Sequence, residues 1–106
     1  MTSALDQMLA ERAVERVLLD YAALNDAGEW EALAALFLPD GRTNRPTAPD
    51  VFIEGREAIL EAFRARPARV SRHIIANMRV TVSGEEAIAI SQILLFTGAA
   101  TPPLVG

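Results

Sequence analysis

From Leu5 to Leu24 the apolar residues Leu5, Met8, Leu9, Ala13, Val17, Leu18, Tyr21 and Leu24 recur at three- and four-residue steps. That spacing predicts one stripe of an amphipathic helix. Ser3-Ala-Leu-Asp6 ahead of it has the form of a capping box, with an acidic side chain in the first turn. Gly28 supplies a C-terminal stop. A second, shorter helix carries Trp30, Leu33, Ala34 and Phe37 at i, i+3, i+4 and i+7, and Pro39-Asp40-Gly41 ends it as a turn. So short a link predicts a helical hairpin. Residues 42–50, with Asn44, Pro46, Pro49 and two threonines, read as a loop, and Val51-Phe-Ile as a short strand. A third helix is expected over about Arg56 to Arg66, turning Ile59, Leu60 and Phe63 inward and closed by Pro67.

At Ser71 the period changes to two. His73, Ile75, Asn77, Arg79 and Thr81 are expected on one face, with Ile74, Ala76, Met78, Val80 and Val82 on the other. Ser83-Gly84-Glu85-Glu86 reads as a hairpin turn into a strand from Ala87 to about Phe96, apolar on both faces except for Ser91 and Gln92. A strand with two apolar faces needs cover on both, from helices on one side and another subunit on the other. From Thr97 to Gly106 the chain reads as a loop. Helix, helix, short strand, helix, then long antiparallel strands is the pattern of an α+β fold, its helices on one face of a curved sheet.

Composition then removes most kinds of chemistry. The 106 residues suit a single domain spanning 1–106. A formal net charge of −4 disfavours nucleic-acid binding by bulk charge. There is no cysteine, hence no disulfide and no thiolate. Every basic residue is arginine, which excludes a Schiff-base lysine. The one histidine, His73, cannot by itself make a multi-histidine metal site, so no metal and no cofactor is expected. No stretch approaches the roughly 20 apolar residues of a membrane span, and the charges of the first helix exclude a signal-peptide core there; a soluble, cytoplasmic protein is expected.

His73 is the side chain best suited to acid–base work, since histidine ordinarily titrates at about 6.5. It shares its expected face with Ile75 and Asn77, a mixed face of the kind that lines a cavity. The ordinary alternative is a satisfied structural histidine. Tyr21 lies about one helical turn before Asp26, so its hydroxyl can serve the same cavity as a donor; the alternative for Tyr21 and Trp30 is core packing. Asp26, in the turn-like Asn25-Asp26-Ala-Gly28, could equally cap local backbone. Arg64, Arg66, Arg69 and Arg72 gather around the end of the third helix, where a solvated cap suits the dipole and an anion site is the alternative.

The run from Asp26-Ala-Gly-Glu-Trp30 to Phe37-Leu-Pro-Asp40-Gly41 resembles the SnoaL-like group of the nuclear-transport-factor-2-like (NTF2-like) superfamily. Gly55-Arg-Glu-Ala-Ile59 looks like the family's glycine-led third helix, Arg72-His73-Ile-Ile-Ala-Asn77 like its His-x-x-x-Asn strand, and Val82-Ser-Gly84-Glu-Glu-Ala87 like the following hairpin. The resemblance covers about residues 10–96. It implies a cone: a bent antiparallel sheet wrapped on three helices around an apolar pocket. It also implies an Asp26–His73 dyad, with Asp26 orienting the imidazole as in the dehydratase and dehydrochlorinase branch. Family members usually continue with two more strands, so the sheet is expected to lack its last strands here.

These readings lead to a cofactor-independent lyase or isomerase acting on a small hydrophobic ring metabolite. Asp26 and His73 are its catalytic pair, and Tyr21, Trp30, Phe52, Ile75 and Asn77 its ligand contacts. The rival readings are a non-catalytic binding or oligomerisation module and an accessory subunit of an oxygenase. A homo-oligomer, dimer or trimer, is expected to form through the outer sheet face.

Overall fold

A computed structural model describes residues 3–99, so the Ala100–Gly106 part of the expected terminal loop lies outside the described residues. The elements run α1 (Ala4–Ala27), α2 (Trp30–Ala34), β1 (Arg42–Arg45), β2 (Ala48–Glu54), α3 (Arg56–Arg64), β3 (Val70–Ser83) and β4 (Glu86–Gly98). The fold is α+β, with β1 pairing β2 and β3 pairing β4, both antiparallel.

The capping box forms as read: the Ser3 hydroxyl accepts from the Asp6 N–H, and the Asp6 carboxylate accepts from the Ser3 N–H. Gly28, at φ 70°, takes the left-handed conformation that ends α1 without a Cβ penalty. α2 then folds back, and Leu36 and Phe37 continue it with tighter bonds to the carbonyls of Leu33 and Ala34. Leu33, Ile59 and Phe63 form the buried core, against which Tyr21, Leu24, Trp30, Phe37 and Ile53 pack. The Arg56 guanidinium donates from Nε to the Phe37 carbonyl at 2.8 Å, tying the start of α3 to the end of the helical hairpin.

Residues 42–50 are not a loop. They form β1 and the first half of β2 around a Pro46-Thr47 turn. Two features let prolines sit in this hairpin. Its register shifts between Asn44 and Arg45, and the Asn44 side chain donates to the Pro49 carbonyl at 2.7 Å. A proline is tolerated where the ladder is already broken.

α1 lies along β3. Its far ends are tied to the strand by Gln7 bonding the Val82 carbonyl and Asp26 bonding His73. The spans agree: 19 helical residues cover about 28 Å, and nine strand residues about 30 Å. The stripe expected from periodicity is covered only toward its C-terminal end, where Leu18, Tyr21 and Leu24 are half-buried. Ala10, Val14, Leu18, Tyr21, Ala22 and Asn25 are buried or half-buried, whereas Leu5, Met8, Leu9, Ala13 and Val17 are exposed. α1 is apolar over more than one stripe, and in its N-terminal half packing chose Ala10 and Val14 instead.

The expected faces of β3 hold only as far as Ala76. Ala76 pairs Gln92 and Arg79 pairs Ile90, so Asn77 and Met78 together oppose Ser91. This is a β-bulge, and Asn77 adopts φ 53° within it. One extra residue inverts the parity of everything after it. The inner side therefore carries His73 and Ile75, then Met78, Val80 and Val82, all half-buried. Arg79 and Thr81 face outward, exposed. The expected outward row of Ile74, Ala76, Met78, Val80 and Val82 is thus corrected: only Ile74 and Ala76 keep that side, joined there by Ile88, Ile90 and Leu94 of β4.

Candidate active site

Asp26 stands in the last turn of α1, where the helix dipole works against a carboxylate. Three donors from β3 offset this. The His73 backbone N–H donates to Oδ2 at 2.9 Å, the Ser71 hydroxyl donates to Oδ1 at 3.1 Å, and His73 Nδ1 lies 2.5 Å from Oδ1. Burial alone would raise the Asp26 pKa. The side-chain and backbone hydrogen bonds from His73, the attraction of its charge and the Ser71 bond outweigh burial and hold the carboxyl below the ordinary carboxylate range.

An ionised Asp26 can only accept, so the neutral imidazole carries its proton on Nδ1 and keeps a lone pair on Nε2. The pair is largely withdrawn from water, with the His73 side chain 11% and the Asp26 side chain 16% exposed. Nε2 makes no hydrogen bond among the described residues and is not sealed from solvent. A buried, oriented Nδ1–H backed by a carboxylate and an open Nε2 is the arrangement of a general base.

The other candidate residues are placed as follows. Tyr21 is half-buried, edge-on to Phe37 and Phe63 with ring centroids 6.2 and 6.4 Å away. Burial raises its pKa in spite of the positive charges of Arg66 and Arg45, so its hydroxyl stays a neutral donor at pH 7. Trp30 stacks on Phe63 at 5.4 Å. Ile75 follows His73 on the inner side of β3, half-buried. Phe52 is 45% exposed on β2 beneath the Arg42 guanidinium, 4.5 Å from its ring, and lines neither cavity. Asn77, expected on the His73 face, is exposed at the bulge and donates to the Gln92 side chain. Ser71 was not singled out by sequence reasoning. The available signal was its parity: two residues before His73, it had to share that side chain's face.

A cavity of about 290 Å³ opens on the Asp26 side of the dyad, lined among others by Asn25, Asp26, Trp30, Arg66, Arg69 and Ser71; His73 does not line it. A second space, about 310 Å³, is bounded by Arg45, Ala48, Val51 and Ile53 of the β1–β2 hairpin. Among the described residues no three His, Asp or Glu side chains gather closely enough to hold a metal ion.

The fold and the Asp26–His73 pair can be set beside known proteins. The SnoaL-like domain family matches residues 6–105, nearly the whole chain. The chain belongs to this family. A candidate scytalone dehydratase from Novosphingobium aromaticivorans superposes on this SnoaL-like chain with a TM-score of 0.78 and 28% identity, over 93% of this chain and 68% of that one. An NTF2-like protein with a cystatin-like fold from the same organism has a TM-score of 0.75 and 23% identity, over 94% and 71%. ActVI-ORFA from Streptomyces coelicolor has a TM-score of 0.69 and 22% identity, over 92% and 75%; like the second structure, it speaks for the fold alone. Among curated proteins none matches. No helix among the described residues is long and apolar enough to cross a membrane.

Proposed function

We propose that this SnoaL-like chain is a cofactor-independent enzyme of the dehydratase, lyase or isomerase type, acting on a small hydrophobic ring compound. The observation that carries the reading is the contact between Asp26 and His73, with Nδ1 held and Nε2 open. His73 Nε2 takes a proton from a carbon beside a carbonyl or leaving group. The electron pair of the broken C–H bond forms the new double bond, or an enolate that is reprotonated elsewhere. Asp26 stabilises the imidazolium that results, and the same Nε2–H then protonates the departing hydroxide or the isomerised carbon. Tyr21, a neutral phenol at pH 7, donates to the carbonyl oxygen where negative charge develops. Trp30 and Ile75 supply apolar contacts. The similarity to a candidate scytalone dehydratase supports the dehydratase class.

The test is proton exchange at the carbon next to the carbonyl of 1-tetralone in D2O, followed by NMR. The wild-type chain is expected to accelerate exchange above buffer, and His73→Gln to return it to the buffer rate. Equal acceleration by His73→Gln would sink the mechanism. A second reading, a binding module without turnover, is favoured by the placement of the 290 Å³ cavity beside Asp26 rather than His73; it predicts no acceleration by either protein. Pairing of copies through the outward apolar side of β3 and β4 belongs to both readings.

A further inference from the structure

The cavity beside Asp26 holds positive charge that the dyad does not use. Arg66 and Arg69, from the segment joining α3 to β3, both line it. Its one carboxylate, Asp26, is already engaged by His73 and Ser71. Arg16 and Arg64 have carboxylates within 4.0 Å, at Asp20 and Glu31; among the described residues Arg66 and Arg69 have none. An exposed arginine without a partner is unremarkable, but Arg66 is only half-exposed, with its guanidinium held 4.3 Å from the Phe63 ring. Burial and the charges of Arg45 and Arg69 all disfavour its charged form, and the opposite charge of a bound anion offsets them. The same Phe63 ring is stacked on Trp30, which gives the cavity an aromatic wall.

We propose that this cavity binds a small aromatic carboxylate, its ring against Trp30 and its carboxylate on Arg66 and Arg69. A planar carboxylate matches the guanidinium fork. A volume of about 290 Å³ lies at the low end for ligand pockets, which suits a compound of one ring. The site goes beyond the proton-transfer reading and does not rest on it, because His73 is absent from its lining.

Trp30 is the chain's only tryptophan, so its fluorescence reports this cavity directly. The intact chain is titrated with benzoate, with its neutral analogue benzamide and with inorganic phosphate, at fixed ionic strength. Benzoate is expected to give a saturable change, and the other two to bind at least about tenfold more weakly, the scale of a charge-assisted contact and of ring burial. Arg66→Gln and Arg69→Gln should each weaken benzoate about tenfold, whereas Arg12→Gln on the outside of α1 should not. Arg69 is exposed, so its variant tests the site even if Arg66→Gln fails to fold. Overturning results are no saturable response to benzoate, equal binding of benzamide or phosphate, or undiminished benzoate binding by Arg69→Gln.

Discussion

The two ends of α1 are similarly apolar in sequence and opposite in fate. At the C-terminal end, Tyr21 and Leu24 pack on the Leu33–Ile59–Phe63 core, Ala22 and Asn25 are buried, and Asp26 is held by three donors. At the N-terminal end, Leu5, Met8 and Leu9 are 63%, 66% and 59% exposed. The helix itself is continuous, so the difference comes from what lies against it: α2 and α3 close over one end only. The dyad sits at the closed end, where a carboxylate and an imidazole can be fixed by packing around them.

Substitutions test this contrast, taken from the largest expected effect to the smallest. Leu33→Ala, at the closed end, should lower stability by about 2–5 kcal/mol in urea unfolding, since it opens a cavity in a fully buried cluster. A loss near zero would mean that the core is not where α1 is anchored. Asp26→Asn should slow 1-tetralone exchange by roughly 10²–10⁴-fold, as the imidazole loses both its orientation and its counter-charge. Wild-type rates in that variant would reduce Asp26 to a structural bond. Ser71→Ala removes one of the three donors and should cost about 1 kcal/mol. Part of that loss should appear as slower exchange with an unchanged KM, which a purely structural hydroxyl would not produce. At the open end, Leu5→Ala and Leu9→Ala should each stay within about 0.5 kcal/mol; a larger loss would show that this stripe is covered in solution.

Acid sharpens the same comparison. The Asp26 pKa is lower in the folded chain than in the unfolded one, so its stabilising contribution is complete above the ordinary carboxylate value of about 3.9. It is lost as the pH falls through the lower folded value. The urea midpoint of Asp26→Asn should therefore drop less between pH 6 and pH 3 than that of the wild type. Parallel drops would mean that the Asp26 bonds do not couple to folding.

Local signals in the chain were legible. The Ser3/Asp6 box, the Gly28 stop and the Ser83–Glu86 turn each depend on a few neighbouring residues, and each formed as read. The order of elements and the family resemblance carried the α+β fold. The covered side of α1 was legible at Leu18, Tyr21 and Leu24 but not in the N-terminal half, because periodicity finds apolar stripes but not the neighbour that will cover one. Nor was the β1–β2 hairpin, whose prolines depend on a register break between strands. Asp26 and His73 are 47 residues apart, and only the family frame brought them together; their 2.5 Å contact is a tertiary fact. Ser71 went unremarked because its role exists only once Asp26 has arrived beside it.

The bulge at Asn77 and Met78 has a consequence for lining this strand up with any relative. Strict alternation would match Val80 and Val82 with residues on the wrong side of a strand that lacks the extra residue. The gap belongs at Asn77-Met78, and on either side of it the comparison must use opposite parity. A one-residue deletion there would remove the extra residue and leave a regular ladder. His73, Ile75, Val80 and Val82 would keep their side toward α1, and Arg79 would still pair with Ile90.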